Sequence, residues 1–180
     1  MKFDRARLVG AWQLSRWYIT YEDGSVTEPL GQHAEGLLVY TADGWMSAQM
    51  MTAGRPRLSR GNPRAAPVEE RAAAFDTFFG YCCRWRVVGQ AVEHHVTISH
   101  NPALAGTVQV RNIEMKGRAL TLSALEPVPG GVRVHRLQWR PAKATSERSL
   151  RQGAVRIADA KASKVSAAAA RRTRTEPNRV

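Results

Sequence analysis

Apolar and polar residues alternate in short runs from residue 8 to residue 140, and each run stops at Gly, Pro, Asn or Asp. Period-two alternation with such stops predicts strands rather than helices. Residues 8–21 are rich in Trp, Tyr, Ile and Thr and end at Asp23-Gly24, a strong hairpin dipeptide. A short return over 26–28 leads through Pro29 and Gly31 into 35–41, and Asp43-Gly44 turns the chain into 45–51. Tight turns of this kind imply antiparallel pairing. After Gly80 five more runs follow, at 81–88, 92–99, 107–115, 119–125 and 132–140. Eight principal strands result, and no helix alternates with them as a parallel sheet requires. The predicted fold is therefore all-β, an eight-stranded antiparallel up-and-down barrel wide enough for side chains or one small ligand. A two-sheet sandwich is the alternative.

One stretch departs from this rhythm. Residues 52–66 carry Gly54, Pro56, Gly61 and Pro63 with Arg55, Arg57, Arg60 and Arg64, and read as a surface loop. Pro67 then opens a helix with Glu69 and Glu70 in its first turn. Val68, Ala72, Phe75 and Phe79 make a one-sided stripe. This predicts one short helix between the third and fourth principal strands, with its Phe face packed on the barrel. Within the strands, alternation turns Tyr81, Cys83, Trp85 and Val87 to one face and Arg84 and Arg86 to the other. In the next strand Val92, His94, Val96, Ile98 and His100 share the inner face, with Glu93, His95, Thr97 and Ser99 outside. Leu120, Leu122 and Ala124 form the apolar face of the seventh strand. The sixth is ambiguous, because Val108 and Val110 oppose a face holding Gln109, Arg111 and Ile113.

Composition changes the picture at the C-terminus. Hydrophobic residues are 43% of the chain, but all thirteen Trp, Tyr and Phe lie between Phe3 and Trp139. The formal charge is +12, of which residues 141–180 contribute +7. The division expected is a barrel over 6–140 and a disordered Ala/Arg/Lys-rich tail over 141–180, which lacks the apolar surface to order itself. Cys82 and Cys83 are adjacent and imply no disulfide framework. No signal-like apolar stretch and no run long enough to span a membrane occurs, so a cytoplasmic location without membrane insertion is expected.

The segment Leu8-Val9-Gly10-Ala11-Trp12-Gln13-Leu14 resembles the opening of lipocalins, in which a Gly and a Trp begin the first strand. The stretch from Gly36-Leu37-Leu38-Val39-Tyr40 to Asp43-Gly44-Trp45-Met46-Ser47-Ala48-Gln49 is similar to two strands of the small bacterial and fungal lipocalin-like domain proteins. So are 75–84, His94-His95, Gly106-Thr107-Val108-Gln109-Val110-Arg111, 117–121 and Leu137-Gln138-Trp139. The resemblance covers about residues 6–140 and leaves the tail without a counterpart. It implies a ligand-holding barrel whose first-strand Trp12 meets a basic side chain, here Arg140, in a cation–π contact. It implies no particular reaction. Some relatives are associated with secondary metabolism, and similar barrels serve as cyclases or isomerases.

Candidate chemistry follows from the inner faces. His94, in a mostly apolar interior, is placed to act as a general acid/base or to hydrogen-bond a ligand; its ordinary role is a core histidine satisfied by a neighbouring strand. Arg111 is placed to meet a carboxylate or enolate bidentately, or else to form an ion pair at the barrel's edge. Tyr40, Trp45, Gln49 and Tyr81 are the remaining expected ligand contacts, and Met46, Met50 and Met51 an adaptable lining. His94, His95, His100 and His135 lack the spacing of a metal site, so neither metal nor cofactor is expected. No Gly-x-Ser-x-Gly elbow, phosphate loop or dinucleotide fingerprint occurs. The basic tail, with Arg171-Arg172-Thr173-Arg174, attracts phosphate only nonspecifically, and no dedicated nucleic-acid partner is expected. The leading expectation is a binding barrel for a hydrophobic or polyketide-like metabolite. The alternatives are a cyclase or isomerase working through His94 with Arg111 or Tyr40, and an interaction protein working through its tail.

Overall fold

The computed structural model describes residues 2–144 of the chain. The expectation of a disordered tail falls almost wholly outside the described residues. Among the described residues there are nine strands and one α-helix, with three single-turn 3-10 segments besides: β1 (Gly10–Thr20), β2 (Val26–Thr27), β3 (Glu35–Tyr40), β4 (Trp45–Met51), α1 (Val68–Asp76), β5 (Phe78–Val88), β6 (Ala91–Ser99), β7 (Val108–Lys116), β8 (Ala119–Val128) and β9 (Gly131–Pro141). Every pairing is antiparallel, and from β3 onward each strand pairs with the next in the chain. β1 pairs with both β3 and β9, which closes the barrel and excludes the sandwich. The two-residue β2 lies only against the end of β1. Among the described residues no helix is long and apolar enough to cross a membrane.

The hairpins follow from their turn residues. Gly89 and Gly117 both take φ +60 at the first central position of a two-residue connection. A type II′ turn needs that conformation, and a side chain there is strained. Gly36 serves another purpose: a Cβ there would stand 2.9 Å from Met50 Cγ and 3.0 Å from Leu14 Cβ, so its absence lets β3 pack closely.

The β3–β4, β5–β6 and β7–β8 turns share one end of the barrel, and the N-terminal segment packs under it. Phe3 donates its amide to Gly89 O at 2.7 Å, and Trp12 Nε1 donates to Leu8 O at 2.8 Å. Leu8, Trp12, Met46, Trp85, Leu120 and Trp139 are buried together. Each such side chain contributes about 1.5–3 kcal/mol of transfer free energy. Cation–π contacts at this end are made by Arg5, 4.4 Å over Trp85, Arg7, 5.4 Å over Phe3, and Arg84, 3.8 Å over Trp45. The expected Trp12–Arg140 contact does not form, because Arg140 follows the inward Trp139 and alternation turns it to solvent. β9 continues through Pro141, and Ala142 donates to Ala11 O, so the barrel reaches slightly beyond residue 140.

Two local expectations are corrected. The helix forms where expected but buries none of its residues, and Phe75 is 49% exposed. Phe79, the fourth member of the stripe, belongs to β5 instead. The chain leaves the helix at Thr77, whose Oγ1 bonds back to Ala73 O, while Arg55 Nη2 holds Ala74 O at 2.6 Å. Phe75 stacks on His100 at the barrel's margin, with ring centroids 3.9 Å apart.

The second correction concerns β6. Cys82 pairs with Ile98 but Cys83 pairs with Val96, leaving Thr97 as an extra residue. Such a bulge reverses the facing of everything beyond it. Val92, His94 and Val96 point inward as expected, whereas Ile98 is 70% exposed.

Candidate functional site

A cavity of about 390 Å³ occupies the half of the barrel away from the packed base. That is within the roughly 300–1,000 Å³ range of small-molecule sites. Trp17, Leu38, Met50, Phe79, Leu122 and Leu137 supply its apolar wall. They arrive from β1, β3, β4, β5, β8 and β9, so alternation around the whole barrel builds it.

His94 is 1% exposed and is the buried polar residue of the interior. Both of its ring nitrogens are engaged. Nε2 lies 2.7 Å from Tyr40 Oη, and Nδ1 lies 2.9 Å from Tyr81 Oη. β6 carries the imidazole, β3 one phenol and the adjacent strand β5 the other, so three inward positions converge. Burial, reinforced by the charges of Arg111 and His95, lowers the His94 pKa to about 3 and keeps the ring neutral. Burial pushes the Tyr81 hydroxyl up to about 12 against the opposing pull of Arg111. Burial raises Tyr40 well above the usual phenol range as well. All three groups are uncharged near neutral pH.

β7 inverts the usual pattern. Gln109, Arg111 and Ile113 face the interior, while Val108 and Val110 are about half exposed. Arg111 donates to Val110 O at 2.9 Å and to Gln109 Oε1 at 3.3 Å, and has no carboxylate partner among the described residues. The barrel parts at this point. The β7–β8 ladder runs from Lys116↔Ala119 only as far as Asn112↔Ser123, while β8 continues along β9 to Val128. Gln109 and Arg111 line the cavity on one side of the parting; Ala124, Leu125 and Glu126 line it on the other. Glu126 is held by Arg133 through two bonds of 2.7 and 2.8 Å and by His135 Nε2 at 2.6 Å. The Arg133 hydrogen bonds, with help from His135, bring its pKa down to about 2.

The expected contact residues divide. Tyr81, His94 and Arg111 line the cavity, and Tyr40 lies beneath it, joined through His94. Trp45 and Gln49 do not line it. Trp45 is 43% exposed with Arg84 stacked 3.8 Å over its ring, and Gln49 Nε2 donates to Ser47 Oγ at 3.1 Å. In β4 the inward residues are Met46, Ala48 and Met50, which turns Trp45, Gln49 and Met51 the other way. Met50 borders the cavity, and Met46 belongs to the base. His95 stays outside, 3.0 Å from Glu93. Trp17, Glu126, Arg133 and His135 are cavity residues that sequence reasoning missed as contacts. A signal was present for three of them. Glu126 and Arg133 are opposite charges across a short hairpin, and His135 is two residues from Arg133 on the same face.

Among the described residues no group of three or more His, Cys, Asp or Glu is arranged to hold a metal ion. Cys82 and Cys83 are free thiols. Comparison with curated proteins finds no match. A family model described as a lipocalin-like domain matches residues 9–148, which spans the whole barrel. With its closed meander and inner cavity, the chain belongs to the lipocalin-like domain family.

Proposed function

We propose that the barrel holds one small molecule with an apolar body, a hydrophobic or polyketide-like metabolite, in the cavity above His94. The observation that carries this reading is the cavity itself. Its wall is mostly aromatic and aliphatic, with polar groups gathered in the His94 cluster, on β7, in the Glu126 cluster and at Asn101. Small-molecule sites have that composition. The free thiols fit a reducing cytoplasm. The test is native mass spectrometry of the full chain purified from its own host. The expected result is a complex that releases one small apolar compound. An unloaded mass, together with no binding of the neutral probe N-phenyl-1-naphthylamine, overturns the reading.

One observation favours a second reading, in which the site moves a proton as an isomerase or cyclase does. A phenol at the cavity wall, Tyr81, is hydrogen-bonded to an imidazole with Arg111 on the neighbouring wall. Tyr81 rather than His94 would then meet the substrate, because both ring nitrogens of His94 are taken. The test is incubation of the released compound with the protein in D2O. Deuterium incorporation that disappears in His94→Ala supports proton transfer, and no incorporation, or incorporation untouched by His94→Ala, ends it.

A further inference from the structure

The Tyr40–His94–Tyr81 chain has two possible directions, and its surroundings choose between them. A neutral imidazole has one N–H and one lone pair, so it donates to one phenol and accepts from the other. Tyr40 is fully buried, and its hydroxyl has no partner among the described residues other than His94 Nε2. If Nε2 carried the proton, Tyr40 would accept and its own O–H would have no acceptor, a loss that protein interiors rarely tolerate. If Tyr40 donates to Nε2, then Nδ1–H donates to Tyr81 and the Tyr81 proton is the one left over. Tyr81 borders the cavity, so its proton has somewhere to go. The buried phenol thus fixes the tautomer, and the tautomer frees the Tyr81 hydroxyl to donate to a ligand.

The rest of the wall is unbalanced in the same sense. Its acceptors are engaged: Glu126 by Arg133 and His135, Gln109 Oε1 by Arg111, and Asn101 Oδ1 by the Ala103 amide. What remains unpaired is donors. The indole N–H groups of Trp17 and Trp139, both wall residues, have no partner among the described residues. Arg133 is matched by Glu126, which leaves the Arg111 charge uncompensated. Tyr81 reaches His94 Nδ1 from β5, and Arg111, opposite Val92 on the other flank of β6, lines the same cavity with its charge felt at both Tyr81 and His94.

We propose that the cavity recognises an anionic oxygen, a carboxylate or enolate, on an otherwise apolar ligand, held jointly by the Tyr81 hydroxyl proton and the Arg111 guanidinium. This rests on the reading that the cavity takes an apolar molecule, and names the polar end that molecule must carry. A charge-assisted pair of this kind is among the stronger hydrogen-bonding arrangements in proteins.

The test has two parts, both on the full-length chain. Long-range ¹H–¹⁵N NMR of unliganded protein reads the His94 tautomer without any substitution; protonated Nδ1 is expected, and protonated Nε2 overturns the proposal. Calorimetric titration then compares decanoate with decan-1-ol, which share the apolar chain and differ in the charged group. Decanoate should bind at least about tenfold more tightly. Tyr81→Phe and Arg111→Gln should each bring the ratio of decanoate to decan-1-ol affinity close to one, and a ratio unchanged in both variants overturns the proposal. Equal affinities for the two probes overturn the anion site and leave the apolar cavity standing. Failure of both probes to bind overturns the cavity reading and this inference with it.

Discussion

Tyr40→Phe deletes one oxygen atom from the barrel interior, and its cost should depend on whether His94 is present. In the native background the substitution removes the 2.7 Å bond to Nε2 and leaves a ring nitrogen without a partner among apolar neighbours. Leaving one buried polar group unpaired costs about 1–3 kcal/mol. For a barrel of this size that corresponds to a fall in Tm of roughly 3–10 °C. In a His94→Leu background the Tyr40 hydroxyl is already orphaned, so deleting it should be neutral or recover about 1 kcal/mol. The sign of the effect therefore changes, and the coupling energy should be about 2 kcal/mol. Urea unfolding of the four full-length proteins, followed by tryptophan fluorescence and extrapolated linearly, measures it. Equal costs in both backgrounds, with coupling below about 0.5 kcal/mol, would refute the hydrogen-bonded chain on which the site description rests.

Acid should destabilise the barrel through His94. Its folded pKa of about 3 lies below the unfolded value near 6.5, so the unfolded chain takes up a proton that the folded chain refuses. The contribution is complete above about pH 6.5 and is lost as pH falls towards 3. The loss is about 2 kcal/mol by pH 5 at 1.36 kcal/mol per unit, and His94→Leu should flatten that part of the profile. The β6 bulge is checked by a pair of variants. Val96→Ala, at an inward position, should cost about 1–3 kcal/mol, and Ile98→Ser, beyond the bulge, no more than about 0.5 kcal/mol. Because Trp45 stands outside the cavity under Arg84, Trp45→Ala should leave the affinity for N-phenyl-1-naphthylamine within about twofold by fluorescence titration.

Much of the barrel was legible because its strands obey period two and its turns carry Gly at the required places. The eight principal strands and the inward placement of His94, Tyr81, Trp85 and Leu122 follow from alternation alone. What escaped it has definite physical causes. One residue inserted at Thr97 exchanged the faces of the strand beyond it, and nothing local in Thr97-Ile98-Ser99 announces a bulge. In the first half of β7 Val108 and Val110 point to solvent while Gln109 and Arg111 line the cavity, the reverse of what apolar patterning alone predicts. Departures from simple patterning gather where a site is built. Trp45 and Gln49 looked like pocket residues by type, but the parity of β4 that buries Met46, Ala48 and Met50 excludes them. The phenol–imidazole–phenol contact joins residues separated by 54 and 13 positions, and only the closed barrel brings them together.

The central claim, that one small apolar molecule sits inside the barrel, is tested most directly by mapping a bound probe onto leucine methyl groups. ¹³C-methyl NMR of the full chain, with and without saturating N-phenyl-1-naphthylamine, separates the relevant surfaces. Leu38, Leu122 and Leu137 line the cavity, Leu8 and Leu120 are packed in the base, and Leu37 faces outward. Large shifts at Leu38, Leu122 and Leu137, with Leu8, Leu120 and Leu37 unmoved, are the predicted result. Shifts centred on Leu37, or no shift at any cavity leucine, would contradict it.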